Sequence, residues 1–290
     1  MSRKFDIITD SACDMTELYL TAKRIDCVPL GFTMNNVNYA GDSGEKISEK
    51  EFYQKLREGS MPTTYQVTGE QAKAHIEKHL KADRDVLVIT FSSGLSGTSG
   101  SFEVAARELS KRYPKREIRV VDSLCASMGE GLLLDYVIRK ADEGASLDET
   151  AHYALELRGK ICHHFTVDNL FHLKRGGRVS ATSAVIGSIL KIKPIMRVDE
   201  NGKLTVVSKA MGRKKALASL VENMFERAEM GDEDPVFISH GDCIEDVEYV
   251  KDLIRIRMPK VRIEVNYVGS VIGAHAGAGV VAIFHKGNHR

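Results

Sequence analysis

A short β-branched run that breaks into a long uncharged loop sets the strongest limit on how this chain can fold. Val86 to Ile89 is apolar throughout, as expected of a parallel strand buried on both faces. It passes into Ser92-Ser-Gly-Leu-Ser-Gly-Thr98, after which Val104, Ala105 and Leu109 take up a helical spacing. Strand, small polar loop and helix in that order imply an α/β sheet with parallel strands. Such a loop carries hydroxyls and free backbone N–H groups to the carboxyl end of the sheet, where the helix dipole favours an anion. No Lys, Arg, Asp or Glu occurs from Phe91 to Ser101. A ligand there meets neutral donors.

The same theme recurs twice. Phe5 to Thr9 reads as a strand ending in Asp10-Ser11, and Ile118 to Val121 as one ending in Asp122-Ser123. In a doubly wound sheet, polar strand ends gather along one edge, at the point where strand order reverses. Polar βα loops are also ordinary helix caps, so both readings of these ends fit the sequence.

Other local signals order the rest of the chain. Asn35-Asn36 predicts a hairpin turn, and Ser48/Glu51, Thr68/Gln71 and Ser146/Glu149 predict capping boxes at three helix starts. Met61 to Thr68 is expected to be a polar loop. Cys162 to Val167 is a strand, and the chain divides nearby, into an N-terminal α/β domain over 1–160 and a C-terminal domain over 161–290. Ala181 to Leu190 predicts a helix of small residues. Lys193 to Val198 and Leu204 to Ser208 pair about the turn Asp199 to Gly202, and Gly269 to Gly279 is expected to be a glycine-rich loop. The expected fold class is α/β: a doubly wound, mostly parallel N-terminal sheet and a mixed C-terminal one.

Composition excludes several function classes. The 41 Lys and Arg against 40 Asp and Glu give a formal charge of +1, so no field points to nucleic acid. No apolar run reaches the length of a membrane span, and the strand-like segment at Phe5 leads to the expectation of a cytoplasmic chain with no signal peptide. Five scattered cysteines without a C-x-x-C read as free thiols in a reducing cytoplasm, with no metal site.

Candidate chemistries sort by residue. Gly94-Leu-Ser-Gly-Thr98 puts Thr where a nucleophile elbow requires its last Gly, and no acid–histidine pair follows. No Lys follows the glycines, as a phosphate-binding P-loop would need. His163 and His164 are adjacent on a strand and so point to opposite faces, which argues against a shared zinc. His275 lies among Gly273, Gly277 and Gly279, facing a ligand or bonding a neighbouring carbonyl. Arg178, after Gly176-Gly177, binds an anion or caps local carbonyls. Sequence leaves both pairs of readings open.

Taken together, the motifs resemble one family. Asp10-Ser11 with Asp14, Pro62-Thr-Thr-x-Gln66, Ser92 to Thr98, Val121-Asp-Ser123 with Ala126-Ser127, Lys174-Arg-Gly-Gly-Arg178, Ile192-Lys-Pro194 and Val271-Ile-Gly-Ala-His275 follow the order seen in DegV-family proteins. The likeness covers nearly the whole chain. It implies a two-domain, non-catalytic protein that holds one long-chain fatty acid, such as palmitate or oleate, with no other cofactor. It places the carboxylate at the domain interface on a Thr and a Ser, here Thr64 and Ser96, with Ser93 close by. His275, Arg178, Asp10 and Ser11 match supporting motif positions. The family also implies a partner in some bacteria, a separate fatty-acid kinase that phosphorylates the bound acid. The rival reading is an acyl- or phosphoryl-transferring enzyme that uses the serine loop.

Three departures from the family pattern stand out, of which the first two bear on docking more than on lipid binding. Thr64-Tyr65-Gln66-Val67 stands for Thr-Ser-Gln-Pro. Lys209-Ala210-Met211 lacks a final Arg on the surface expected to face the kinase. Gly277-Ala278-Gly279 replaces Gly-Pro-Gly.

Overall fold

The computed structural model describes residues 3–40, 44–179, 191–231 and 233–290; the helix expected over Ala181 to Leu190 lies outside them. The first half runs β1 (Phe5–Asp10), α1 (Glu17–Ala22), β2 (Ile25–Val28), β3 (Gly31–Met34), β4 (Val37–Ala40), α2 (Glu49–Arg57), β5 (Thr63–Tyr65), α3 (Gly69–Lys81), β6 (Asp85–Thr90), α4 (Thr98–Arg112), β7 (Ile118–Asp122), α5 (Met128–Asp142) and α6 (Leu147–Leu157). The second runs β8 (Ile161–Thr166), α7 (Phe171–Arg175), β9 (Ile192–Val198), β10 (Leu204–Met211), α8 (Arg213–Arg227), β11 (Val236–His240), α9 (Ile244–Arg257), β12 (Ile263–Tyr267), α10 (Ser270–Ala276) and β13 (Val281–Lys286).

The architecture is two-domain α/β, with a parallel and a mixed sheet. Strands β2-β1-β6-β7 form an all-parallel sheet, and its central strand β6 is buried on both faces, as its unbroken apolar run requires. The six-stranded sheet β10-β9-β8-β13-β11-β12 is mixed, with β11 and β12 its parallel pair. A third, antiparallel sheet β4-β3-β5 was only half expected. The Asn35-Asn36 turn takes its two positive φ angles as an asparagine pair should. However, the stretch expected to be a polar loop contains β5, which supplies edge pairing to β3.

Helix starts follow their caps. Thr68/Gln71 and Ser146/Glu149 form reciprocal boxes. Ser48 caps only one way: its Oγ accepts from Glu51 N, while the Glu51 carboxylate lies 3.5 Å from Lys55 Nζ. Opposite charge four residues along the helix draws the carboxylate off the cap.

Helix α5 joins the two halves. It is buried over most of its length and touches β6 on one side and β8, β11 and β13 on the other. One apolar cluster therefore runs from Ile7 and Leu87 through Leu133 to Phe237 and Phe284. Its helix carries apolar residues all round, which is the pattern of a helix without a solvent face.

Candidate functional site

A cavity of about 320 Å³ lies where the small antiparallel sheet, the serine loop and the mixed sheet meet. Most of its wall is apolar, built from residues such as Phe91, Phe165, Leu173, Ile272 and Phe284. Phe165 and Phe284 come from β8 and β13, where every second side chain faces the cavity. Polar groups are few: Thr64, Gln66, Ser96, Arg178 and His275 in one set, Ser127, Ser239 and His163 in another. A mostly apolar pocket with sparse fixed polar groups suits an amphiphilic ligand.

Thr64 is held inward because it sits directly opposite the fully buried Phe32 in the β3–β5 register. Its Oγ1 lies 2.8 Å from His275 Nε2. His275 is on a short helix, α10, not in the loop expected there; Gly273 is the one glycine inside it, while Gly269 and Gly277 stand at its two caps. Glycine also explains how closely the ring fits. A Cβ on Gly176 would lie 2.0 Å from His275 Nδ1, so only glycine admits the imidazole at this depth. Burial, with help from Arg178 and Arg175, drives the His275 pKa down to about 4. The imidazole is neutral at physiological pH and offers a hydrogen bond without a charge.

Ser96 lies just before the N-terminus of α4, which has no side-chain cap. Its Oγ bonds Thr98 Oγ1 at 3.0 Å and accepts from Thr98 N at 3.2 Å. Thr98 Oγ1 in turn accepts from Val67 N at 3.4 Å, a bond that a proline at this family position could not donate. Tyr65 also finds a place: its ring covers Gly31 across the strand pair, where any Cβ would clash with it. Both changes within the first departure are thus absorbed locally.

The structure keeps Thr64, Ser96, His275 and Arg178 together on the cavity and moves three expected site residues away from it. Ser93 is exposed, its backbone N–H taken by Asp122 Oδ1 at 3.1 Å. Asp10 is fully buried and works as a tie, accepting from Ala12 N at 3.0 Å and Phe91 N at 2.8 Å. Ser11 Oγ accepts from Leu30 N at 2.9 Å. Both fix the ends of parallel strands, which is the capping role open to any polar βα loop.

Arg178 lines the cavity while bonding one local carbonyl and one from the serine loop. Its Nε donates to Leu95 O at 3.1 Å and its Nη1 to Gly176 O. The guanidinium supplies positive potential beside Ser96 with part of its fork already engaged.

Sequence reasoning missed Ser92, Ser127 and Ser239. Ser92 Oγ donates to Gly202 O at 2.8 Å and so ties the serine loop to the β9–β10 turn. Ser127 Oγ donates to Asp14, and Ser239 Oγ lies 3.0 Å from it. Ser127 holds a positive φ of 55°, unusual for a serine, and Ala126-Ser127 was the only sequence signal pointing there. His163 is a packing residue, as strand alternation predicts. Its Nδ1 donates to Ile161 O at 3.0 Å and its Nε2 accepts from Ala126 N at 3.1 Å.

Among the described residues no helix is long and apolar enough to cross a membrane. The five cysteines are free thiols.

Comparison with known proteins identifies the architecture. The family model described as "Uncharacterised protein, DegV family" matches residues 4–286. A DegV domain-containing protein of Clostridium perfringens is 41% identical over 286 residues, covering 99% of this chain and 98% of that protein. A structure described as the fatty-acid binding of a DegV family protein from Thermus thermophilus superimposes with a TM-score of 0.88 at 28% identity, covering 99% of this chain and all of that one (100%). DegV of Bacillus subtilis, described as a fatty acid binding protein, gives a TM-score of 0.85 at 28% identity over 99% of this chain and 100% of that one. Family match, full-length relatives and shared architecture lead to one conclusion: this chain belongs to the DegV family.

Proposed function

We propose that the chain binds one long-chain fatty acid, its carboxylate among Thr64, Ser96, His275 and Arg178 and its tail along the apolar cavity wall. The observation that carries this is the pairing of a largely apolar cavity of about 320 Å³ with one compact group of neutral donors and a single arginine. Fatty-acid binding by the related Thermus and Bacillus proteins supports the ligand class. Physically, burying about fourteen methylenes contributes roughly 11 kcal/mol gross, at about 0.8 kcal/mol each. Lost ligand freedom and carboxylate desolvation offset much of that. Hydroxyl and imidazole donors then decide orientation.

The chain acts as a carrier that hands its acid to a separate fatty-acid kinase, and it does no acyl or phosphoryl transfer itself. Ser96 Oγ is engaged by Thr98, at 3.0 Å from its Oγ1 and 3.2 Å from its N, which supports a binding rather than a nucleophilic role. The division near residues 160 and 161 separates the two parts that clasp the head group. Solvent extraction and mass spectrometry of the purified protein tests the reading, with roughly one acid per chain expected. A lipid-free protein that also ignores added palmitate and oleate refutes it.

A further inference from the structure

On the other face of the cavity wall, three metal-ligating side chains stand together. Strands β8 and β13 turn His163, Phe165, Ala282 and Phe284 toward the cavity, so the alternate residues Cys162, His164 and His285 face away from it. Register brings them together: Cys162 lies directly opposite His285, and His164 is two residues along the same strand. Cys162 Sγ and a ring nitrogen of each histidine all lie within 4.8 Å of one another, and all three residues are buried.

We propose that Cys162, His164 and His285 bind one divalent transition-metal ion, Zn²⁺ by the chemistry of the ligand set. Imidazole and thiolate together suit zinc and its spectroscopic substitute cobalt, and exclude magnesium and calcium, which take oxygen ligands. The two imidazoles are already aimed. His285 Nδ1 lies 3.0 Å from Lys286 O, and a carbonyl can only accept, so Nδ1 carries the proton and Nε2 presents its lone pair. That lone pair points at His164 Nε2, 3.1 Å away. Without metal, His164 Nε2–H must donate into it; with metal, the proton moves to His164 Nδ1 and both lone pairs meet the ion.

A tetrahedral ion with bonds of about 2.1 Å to nitrogen and about 2.3 Å to sulfur wants ligand atoms roughly 3.4–3.7 Å apart. The nitrogens satisfy this nearly as they stand, and Cys162 Sγ closes the remainder by leaving its present acceptor, His289 O at 3.2 Å. On binding, Cys162 releases its thiol proton to solvent and donates the freed sulfur pair to the ion. Water completes the fourth position. The site then pins the last strand to β8 directly behind the lipid cavity, independently of any lipid.

Titration of chelator-treated protein with Co²⁺ tests this. One equivalent should bind, with thiolate-to-cobalt charge transfer in the near ultraviolet and strong four-coordinate d–d bands, and Zn²⁺ should displace it. Cys162→Ser should abolish the charge-transfer band and His285→Gln should weaken binding at least tenfold, while Cys243→Ser changes neither. X-ray absorption on the unmodified Zn²⁺ form, which needs no variant to fold, should show one sulfur and two imidazole nitrogens. Failure to take up stoichiometric Co²⁺, a sulfur-free coordination shell, or unchanged binding by Cys162→Ser overturns the proposal.

Discussion

Thr64 Oγ1 and His275 Nε2 meet at 2.8 Å across 211 residues of chain. One comes from the edge strand β5 and the other from the last turn of α10, so the pair clasps the cavity from both halves of the molecule. On the proposed reading, a carboxylate takes its donors from a contact that exists only when those halves are docked.

Removing a hydroxyl donor beside this contact should therefore cost affinity before it costs folding. Thr64→Ala and Ser96→Ala each delete one donor to a charged head group, a loss of about 1.5–3 kcal/mol. Isothermal titration with palmitate or oleate should show at least a tenfold weaker Kd, with urea midpoints close to the parent's. If both variants bind like the parent, the head group lies elsewhere in the cavity.

Gly176→Ala provides a steric test of the same site. Its Cβ would reach 2.0 Å from His275 Nδ1, so the ring must move and Thr64 loses its partner. Overpacking of this kind costs about 1–3 kcal/mol. Fatty-acid affinity should drop by at least tenfold, whereas Gly100→Ala, where a Cβ meets nothing, should leave it unchanged. Equal affinities in the two variants would show that His275 is dispensable to binding.

Asp14, which accepts from the cavity-lining Ser127, makes the stability of the fold pH-dependent. Burial raises its pKa from 3.8 to about 7 against the opposing bonds from Ser127 and the Gly269 backbone. Between those values the native carboxyl keeps a proton that the unfolded chain gives up. Stability from this residue is therefore fully present below the unfolded value and is lost as pH rises toward about 7, by up to about 1.4 kcal/mol per unit. Asp10, raised to about 7 by burial, acts in the same sense. His275 and His285, lowered to about 4, act in the opposite one, losing stability as pH falls below the ordinary histidine range. The difference between Asp14→Asn and the parent isolates one group. From pH 5 to pH 7.5 the variant should gain on the parent by about 1 kcal/mol or more, and stability curves that stay parallel would refute the assignment.

Met211 tests hand-over. It ends β10 and is 58% exposed, where the family pattern has an arginine that would suit an acidic docking surface. Met211→Arg should raise the rate of ATP-dependent acyl-phosphate formation by a fatty-acid kinase from another bacterium. A parent protein that already couples fully makes this position irrelevant to docking. Acyl-phosphate formed by the isolated chain would end the carrier reading altogether.

What the amino-acid order determined by itself was everything local. Apolar runs marked the strands, S/T-x-x-E/Q spacings marked helix starts, and the ordered motifs named the family, because each depends on neighbours within a few residues. Even there, Ser48 lost half its cap to the Glu51–Lys55 pair, and the stretch expected to be a glycine-rich loop holds the short helix Ser270–Ala276 between glycine caps. Tertiary structure decided which of these residues share a space. Ser93 and Ser96 look alike in the loop, yet a bond from Ser93 N–H to Asp122 leaves Ser93 at the surface and Ser96 on the cavity. His163 and His164 indeed part to opposite faces, as strand alternation demands, but His164 finds Cys162 beside it and His285 across the ladder. Cross-strand register and domain docking are set by burial summed over the whole core, so no window of sequence contains them.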